Sequence, residues 1–236
     1  RTAANMNNLD RIDETVALLR GMAKERADDT SALITVARIL RSQDRFEEAI
    51  AAFGEVFERV GTLEQRHWSL LYERGIALER SKQWKAAEAD FLKALEFRPD
   101  EPRVLNYLGY SWIDQGLNLD RARAMIEKAV SKRPNDGYVV DSLGWLFYRL
   151  GQYDEAVKHL ERAVELRPQD PIINDHLGDA YWRAGRKLEA KFQWSHAIDL
   201  GAEEESIPGI QAKQSNGLGP PEALGRDKGN KSKNGG

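Results

Sequence analysis

Four histidines, His67, His159, His176 and His196, are the residues of this chain best suited to acid–base or metal chemistry. None has a second histidine or a carboxylate pattern at metal-ligand spacing, so we read them as surface or packing residues. Asp141 and Ser142 stand beside Gly144, but DSLG is not the strand-turn-helix elbow that presents a serine nucleophile. No cysteine is present to supply a thiolate, a disulfide or a zinc ligand. The regularly spaced glycines are accounted for by helix packing and helix ends, which leaves no phosphate-cradling loop. The sequence therefore predicts no enzyme, no metal and no cofactor, and what chemistry remains is that of binding.

Composition narrows the binding classes. With 41% hydrophobic residues in 236, the chain can bury a substantial core, and a formal net charge of -3 offers no basic footprint for nucleic acid. No apolar run approaches the roughly 20 residues that span a bilayer, and no charged-then-apolar signal segment opens the chain. Because it begins at Arg1, we expect a processed or truncated product.

The elements that must position any site are repeats. Gly75, Gly109, Gly144 and Gly178 are separated by 34, 35 and 34 residues, each followed in register by Ala87, Ala122, Ala156 and Ala190. In the stretch 137–170 the spacing of Leu143, Gly144, Phe147, Ala156, Leu160 and Ala163 turns each half into one packed helical face, with Gly144 meeting Ala156 in a small-to-small contact. Gly151 ends the first helix and Pro168 the second. Five such units are predicted over 30–62, 63–100, 101–135, 136–169 and 170–202, with Ala37 in the glycine slot of the first. The stretch Gly116 to Asp120 carries the extra residue of the third. Residues 1–29 read as a half repeat, one amphipathic helix with Leu9, Ile12, Val16, Leu19 and Met22 on its stripe. That stripe either packs on the next repeat or stacks on a second copy of the chain. Residues 203–216 are predicted to form a short capping helix, with Ser206 as its cap and Pro208 early in it. Residues 217–236 are predicted to be a flexible tail.

This pattern resembles the tetratricopeptide repeat, whose signature stands here as Val140, Leu143-Gly144, Phe147, Ala156, Leu160, Ala163 and Pro168. The departures are Ala37 for glycine, Arg74 for leucine and Asn174 in an apolar slot. The resemblance implies an all-α, right-handed superhelical solenoid whose first helices line a concave groove that takes a peptide or partner protein. By the family's register the groove would hold Tyr72 and Arg80 from the second repeat and Arg103, Asn106, Tyr110, Ile113 and Asp114 from the third. The fourth would add Tyr138, Asp141, Trp145, Tyr148 and Arg149, and the fifth Asp175, Asp179, Trp182 and Arg183. Tyrosine, tryptophan and arginine are the residues that most often dominate interface energetics. Phe147, Trp112, Trp84 and Trp194 are assigned to the core. The clamp of lysines and asparagines with which some family members grip a C-terminal carboxylate is absent, the corresponding positions holding Ile34 and Arg38, Tyr72 and Ile76, Asn106 and Tyr110, Asp141 and Trp145, and Asp175 and Asp179. The acidic residues of the fifth repeat favour a ligand with positive charge.

The block LNYLGYSW, DSLGWLFYRLGQYDEA, DHLGDAYWRAGRKLEA further resembles the C-terminal repeats of bacterial tetratricopeptide proteins, including periplasmic outer-membrane lipoproteins that act as adaptors for C-terminal processing proteases. That likeness implies a scaffold or adaptor and favours the periplasm over the cytoplasm. The alternative is self-assembly through the solenoid ends.

Overall fold

The structure, a computed structural model, describes residues 3–26 and 28–221, with side chains described from Arg11 onward. Twelve α-helices and one 3₁₀ turn, with no strand, make up its regular structure among the described residues. The chain divides into two compact units, residues 1–99 and 100–236.

The first unit holds α1 (Ala3–Glu25), α2 (Ser31–Ser42), α3 (Phe46–Val60), α4 (Trp68–Arg80) and α5 (Trp84–Phe97). The second holds α6 (Pro102–Gln115), α7 (Leu119–Lys132), α8 (Gly137–Arg149), α9 (Tyr153–Leu166), α10 (Pro171–Arg183), α11 (Lys187–Asp199) and α12 (Ile207–Asn216). Helices as short as the 12 residues of α2 are marginal alone. Each therefore depends on the partner with which it forms a hairpin, and the sequence places the means of pairing at the repeating glycines.

A Cβ built on Gly75 would lie 2.5 Å from the Phe91 ring, on Gly109 2.9 Å from Ile126, on Gly144 2.5 Å from Leu160 and on Gly178 2.5 Å from the Trp194 indole. The contact predicted between Gly144 and Ala156 is thus displaced by one turn. Leu160 rests on the glycine, and Ala156 is buried beside it in the core of the hairpin. Seven residues after each packing position the chain reverses through a left-handed residue: Asp44, Lys82, Gly116, Gly151 and Gly185. The third repeat adds Asn118 with φ 44°, which accommodates its extra residue.

The three departures from the repeat pattern find partners. Ala37 is fully buried. Arg74 donates from Nε and Nη2 to the buried Asp90 carboxylate at 2.7 and 2.7 Å, with its guanidinium 4.4 Å above the Phe57 ring. The buried Asn174 donates from Nδ2 to the carbonyls of Pro168 and Asp170 at 3.1 and 2.8 Å. Trp112 and Trp194 are fully buried, whereas Trp84 and Phe147 are only half-buried, and Phe147 stacks on His159 at 5.2 Å.

At the N-terminal end, Ile12, Val16, Leu19 and Ala23 of α1 pack on Leu33, Val36, Leu40 and Phe53, while Leu18 and Met22 are exposed. The side chain of Leu9 lies outside those described. At the other end α12 inserts Ile210 beside Trp194 and Ala197. Its predicted serine cap is not made: Ser206 has helical backbone angles and no capping side-chain hydrogen bond. Of the segment expected to be a flexible tail, residues 222–236 lie outside the described residues. Within the rest, Gly217 turns with φ 73° and Leu218 packs, half-buried, on the cluster around Trp194.

Candidate functional site

The site is built on the first helices of three successive repeats, α6, α8 and α10. Trp145 and Tyr148, three apart on α8, share a face and stack at 4.7 Å between ring centroids with an interplanar angle of 13°. His176 of α10 also stacks on Trp145, at 4.2 Å and 20°. Tyr110 of α6 continues the column at 6.3 Å from His176. The rings are only partly exposed: His176 is buried, and Tyr148, one turn beyond Gly144 on the same face of α8, also packs against the cluster around Trp194.

Beneath the column, His176 Nδ1 lies 2.9 Å from Asp141 Oδ1, with both side chains buried. Burial opposes protonation of His176. The adjacent Asp141 charge and hydrogen bond, helped by Asp175 and Asp179, outweigh it and hold the imidazole above its ordinary pKa. Sequence reasoning treated this histidine as isolated, yet its carboxylate partner comes from the preceding repeat, 35 residues away.

The acidic residues of α10 are also engaged from within the chain. Lys213 of α12 donates to both oxygens of Asp175 at 2.6 and 2.7 Å and to Asp179 Oδ1 at 2.8 Å. Trp194 Nε1 donates to the same Asp179 oxygen at 2.8 Å. Burial raises the Asp179 pKa, with Lys213 opposing. Burial disfavours the Lys213 ammonium, but Asp179 and Asp175 outweigh it, so its pKa too is raised. The positive charge for which these carboxylates are suited is therefore already supplied by Lys213, contrary to the expectation that they invite a cationic ligand.

Between the column and the segment Leu218–Pro221 lies a cleft of about 640 Å³. One wall carries Trp145, Tyr148 and Tyr153 together with Arg149 and Arg183; Pro220 and Pro221 stand on the other. Arg149 Nη1 donates to the Asp114 carbonyl at 2.6 Å, across one repeat. Trp145 Nε1 and Arg183 Nε are buried with no acceptor.

The remaining predicted residues make contacts of other kinds. Tyr138, at the start of α8, is half exposed beneath the Arg167 guanidinium at 4.2 Å. Arg103 donates to Glu101 at 3.0 Å, and Asn106 Oδ1 is buried without a partner. Trp182 is held between Trp194 at 5.6 Å, the Lys187 ammonium at 5.2 Å and Gly217, where a Cβ would come within 1.9 Å of the indole. Ile113 is fully buried. In the first unit, Tyr72 meets Phe91 at 6.1 Å, and the Arg80 guanidinium lies 5.4 Å from the Phe46 ring centroid. Sequence reasoning missed His176, Lys213 and Leu218–Pro221. For His176 the repeat period itself was the available signal.

Among the described residues, no group of three or more His, Cys, Asp or Glu side chains is placed to hold a metal ion, and no helix is long and apolar enough to cross a membrane.

Comparisons with known proteins agree with this architecture. Residues 144–185 match the family described as TPR repeat, and residues 36–102 match that described as Tetratricopeptide repeat. A TPR repeat-containing protein of Pseudomonas aeruginosa is 30% identical over 150 residues, which are 63% of this chain and 25% of that relative's length. Among solved structures, a thermophilic TPR protein of Thermus thermophilus is similar with TM-score 0.66 at 17% identity, covering 79% of this chain and 99% of that one. YrrB, described as a TPR protein with an unusual peptide-binding site, is similar with TM-score 0.54 at 20% identity, covering 82% of this chain and 97% of the other. The glycine-centred hairpins, their period and these matches agree: the chain has an all-α solenoid fold and carries tetratricopeptide repeats, matched by family models over residues 36–102 and 144–185.

Proposed function

We propose that the chain is a non-catalytic interaction scaffold that binds a peptide or partner protein on the face formed by α6, α8 and α10. One observation supports this above others: Tyr110, His176, Trp145 and Tyr148 form a run of aromatic contacts beside a cleft. Stacked aromatics with one accessible flank suit an extended peptide, whose side chains gain contact area at little entropic cost. Repeats of this family generally serve non-catalytic protein interaction. The finer reading is an adaptor for a bacterial C-terminal processing protease in the periplasm. The resemblance of the third to fifth repeats to such adaptors, and a bacterial relative of matching sequence, support it.

The test is affinity capture with Trp145→Ala combined with Tyr148→Ala. Partner capture should be lost with helical content and melting nearly unchanged. Undiminished capture by a folded double variant would sink the assignment. A processing protease that co-purifies with the wild type but not with the variant would support the adaptor reading. A second reading, self-assembly through the N-terminal end, rests on Leu18 and Met22, four apart on α1 and 66% and 48% exposed. A monomer by light scattering at high concentration would dispose of it.

A further inference from the structure

We propose that Lys213 sets the charge of the partner. By occupying Asp175 and Asp179 from within the chain, it leaves Arg149 and Arg183 to receive an anionic peptide segment in the cleft closed by Pro220 and Pro221. This rests on the binding face proposed above and names its ligand class as a peptide bearing Asp or Glu beside apolar residues.

Two observations converge on that sign. The carboxylate lining the cleft, Asp179, is almost wholly buried and already bonded to the Lys213 ammonium and the Trp194 indole. The cations on the same wall are less fully used. Arg149 is held to α6 mainly through the neutral Asp114 carbonyl at 2.6 Å, with the carboxylate 3.5 Å away, and Arg183 is hydrogen-bonded to the neutral Tyr148 hydroxyl. Two guanidinium groups line the cleft, so a ligand that brings acceptors to it gains more than one that brings donors. The ring faces and the two prolines supply apolar flanks for the rest of the segment. With the whole chain at formal charge -3, a nucleic acid is the less fitting polyanion.

The test uses the full chain and two fluorescein-labelled nonapeptides of identical apolar and proline content, one with glutamates and one with lysines at the same positions. By fluorescence anisotropy the wild type should bind the glutamate peptide at least tenfold more tightly. Arg149→Gln with Arg183→Gln should erase the preference. Lys213→Gln should narrow or reverse it, and Lys213→Arg should restore it; melting by circular dichroism checks that each variant is folded. A preference for the lysine peptide, or an unchanged ratio in folded Lys213→Gln, would overturn the proposal. If neither peptide binds while partner capture still depends on Trp145 and Tyr148, the charge assignment falls and the binding face stands. If the glutamate preference survives loss of both aromatics, the binding face itself is misplaced. Tighter binding of a labelled single-stranded oligonucleotide than of the glutamate peptide would also overturn the assignment to a peptide.

Discussion

Two glycine-to-alanine substitutions should change stability in opposite directions, although both fall inside helices. Replacing an interior helical glycine with alanine contributes about 0.8–1.0 kcal/mol of helix propensity. At Gly54, in α3, a Cβ meets nothing within 4 Å, so Gly54→Ala should realise that full amount. At Gly144 the same Cβ would sit 2.5 Å from Leu160 Cγ, 2.9 Å from Cδ2 and 3.2 Å from the Leu160 amide nitrogen. Carbon–carbon contacts settle near 3.5–4.0 Å, so a separation of at least about 1 Å must open. Leu160 is fully buried, so its side chain has no empty space to turn into, and the nearby backbone nitrogen requires α9 itself to shift. That places the cost near the upper end of the roughly 1–3 kcal/mol of overpacking. After the propensity gain, the net loss is about 2 kcal/mol. Urea denaturation followed by circular dichroism would measure both variants, and for a chain of this size each kcal/mol moves the melting temperature by about 2–4 °C. Stabilisation by Gly144→Ala, or a matching loss in Gly54→Ala, would refute the hairpin register derived from the glycine period.

Two further outcomes follow from buried pairs. Arg74→Leu restores the family's usual residue yet should destabilise by about 2–3 kcal/mol, because it strands the buried Asp90 carboxylate, while Arg74→Leu with Asp90→Leu should recover most of the loss. A double-mutant cycle that shows no coupling would contradict this. His176 is held above its ordinary pKa in the folded state, so the stability it contributes is complete below the unfolded value of about 6.5 and declines as pH rises through the raised folded value. The stability difference between wild type and His176→Gln should therefore shrink as denaturation is repeated from about pH 6 upward, and a difference that stays constant would argue against the charged pair with Asp141.

The fold was legible because the repeat is redundant. The glycine slot, the alanines of the second helix and the closing prolines each recur, so the loss of one signal, as at Ala37, leaves the others in register. Helix faces were legible only in part: Trp112 and Trp194 are fully buried as assigned, whereas Trp84 and Phe147 are half-buried and Tyr148, assigned to the groove, also packs against the cluster around Trp194. The polar departures were less transparent. Arg74 and Asn174 read as weak points of single copies, yet each is compensated by a partner that no repeat pattern specifies: a carboxylate on the following helix and two carbonyls at a helix start. Nor did composition reveal Leu218 against the core, since one apolar residue among glycines and prolines carries no periodicity.

The site was harder to anticipate because its polar pairs join repeats, whereas the pattern describes positions within one. Arg38 with Glu73, Asp114 with Arg149, and Asp141 with His176 are each separated by 35 residues. Asp114 and Arg149 are equivalent positions one 35-residue period apart, whereas between Gly144 and Gly178 the period is 34, so Asp141 reaches one position past its own equivalent to His176. A groove assigned copy by copy therefore lists Asp141 and leaves His176 as a solitary histidine, although the two form one buried pair. The same offset logic reaches the end of the solenoid. Lys213 follows Asp179 by 34 residues, but it comes from α12, where the repeat pattern has stopped. The last first helix has no successor repeat to answer its carboxylates, and the capping helix answers them with a lysine. If the proposed groove binds an acidic segment, a change of that single residue would alter the charge the groove presents while its own residues stay untouched, and α12 would then determine specificity as well as cover the core.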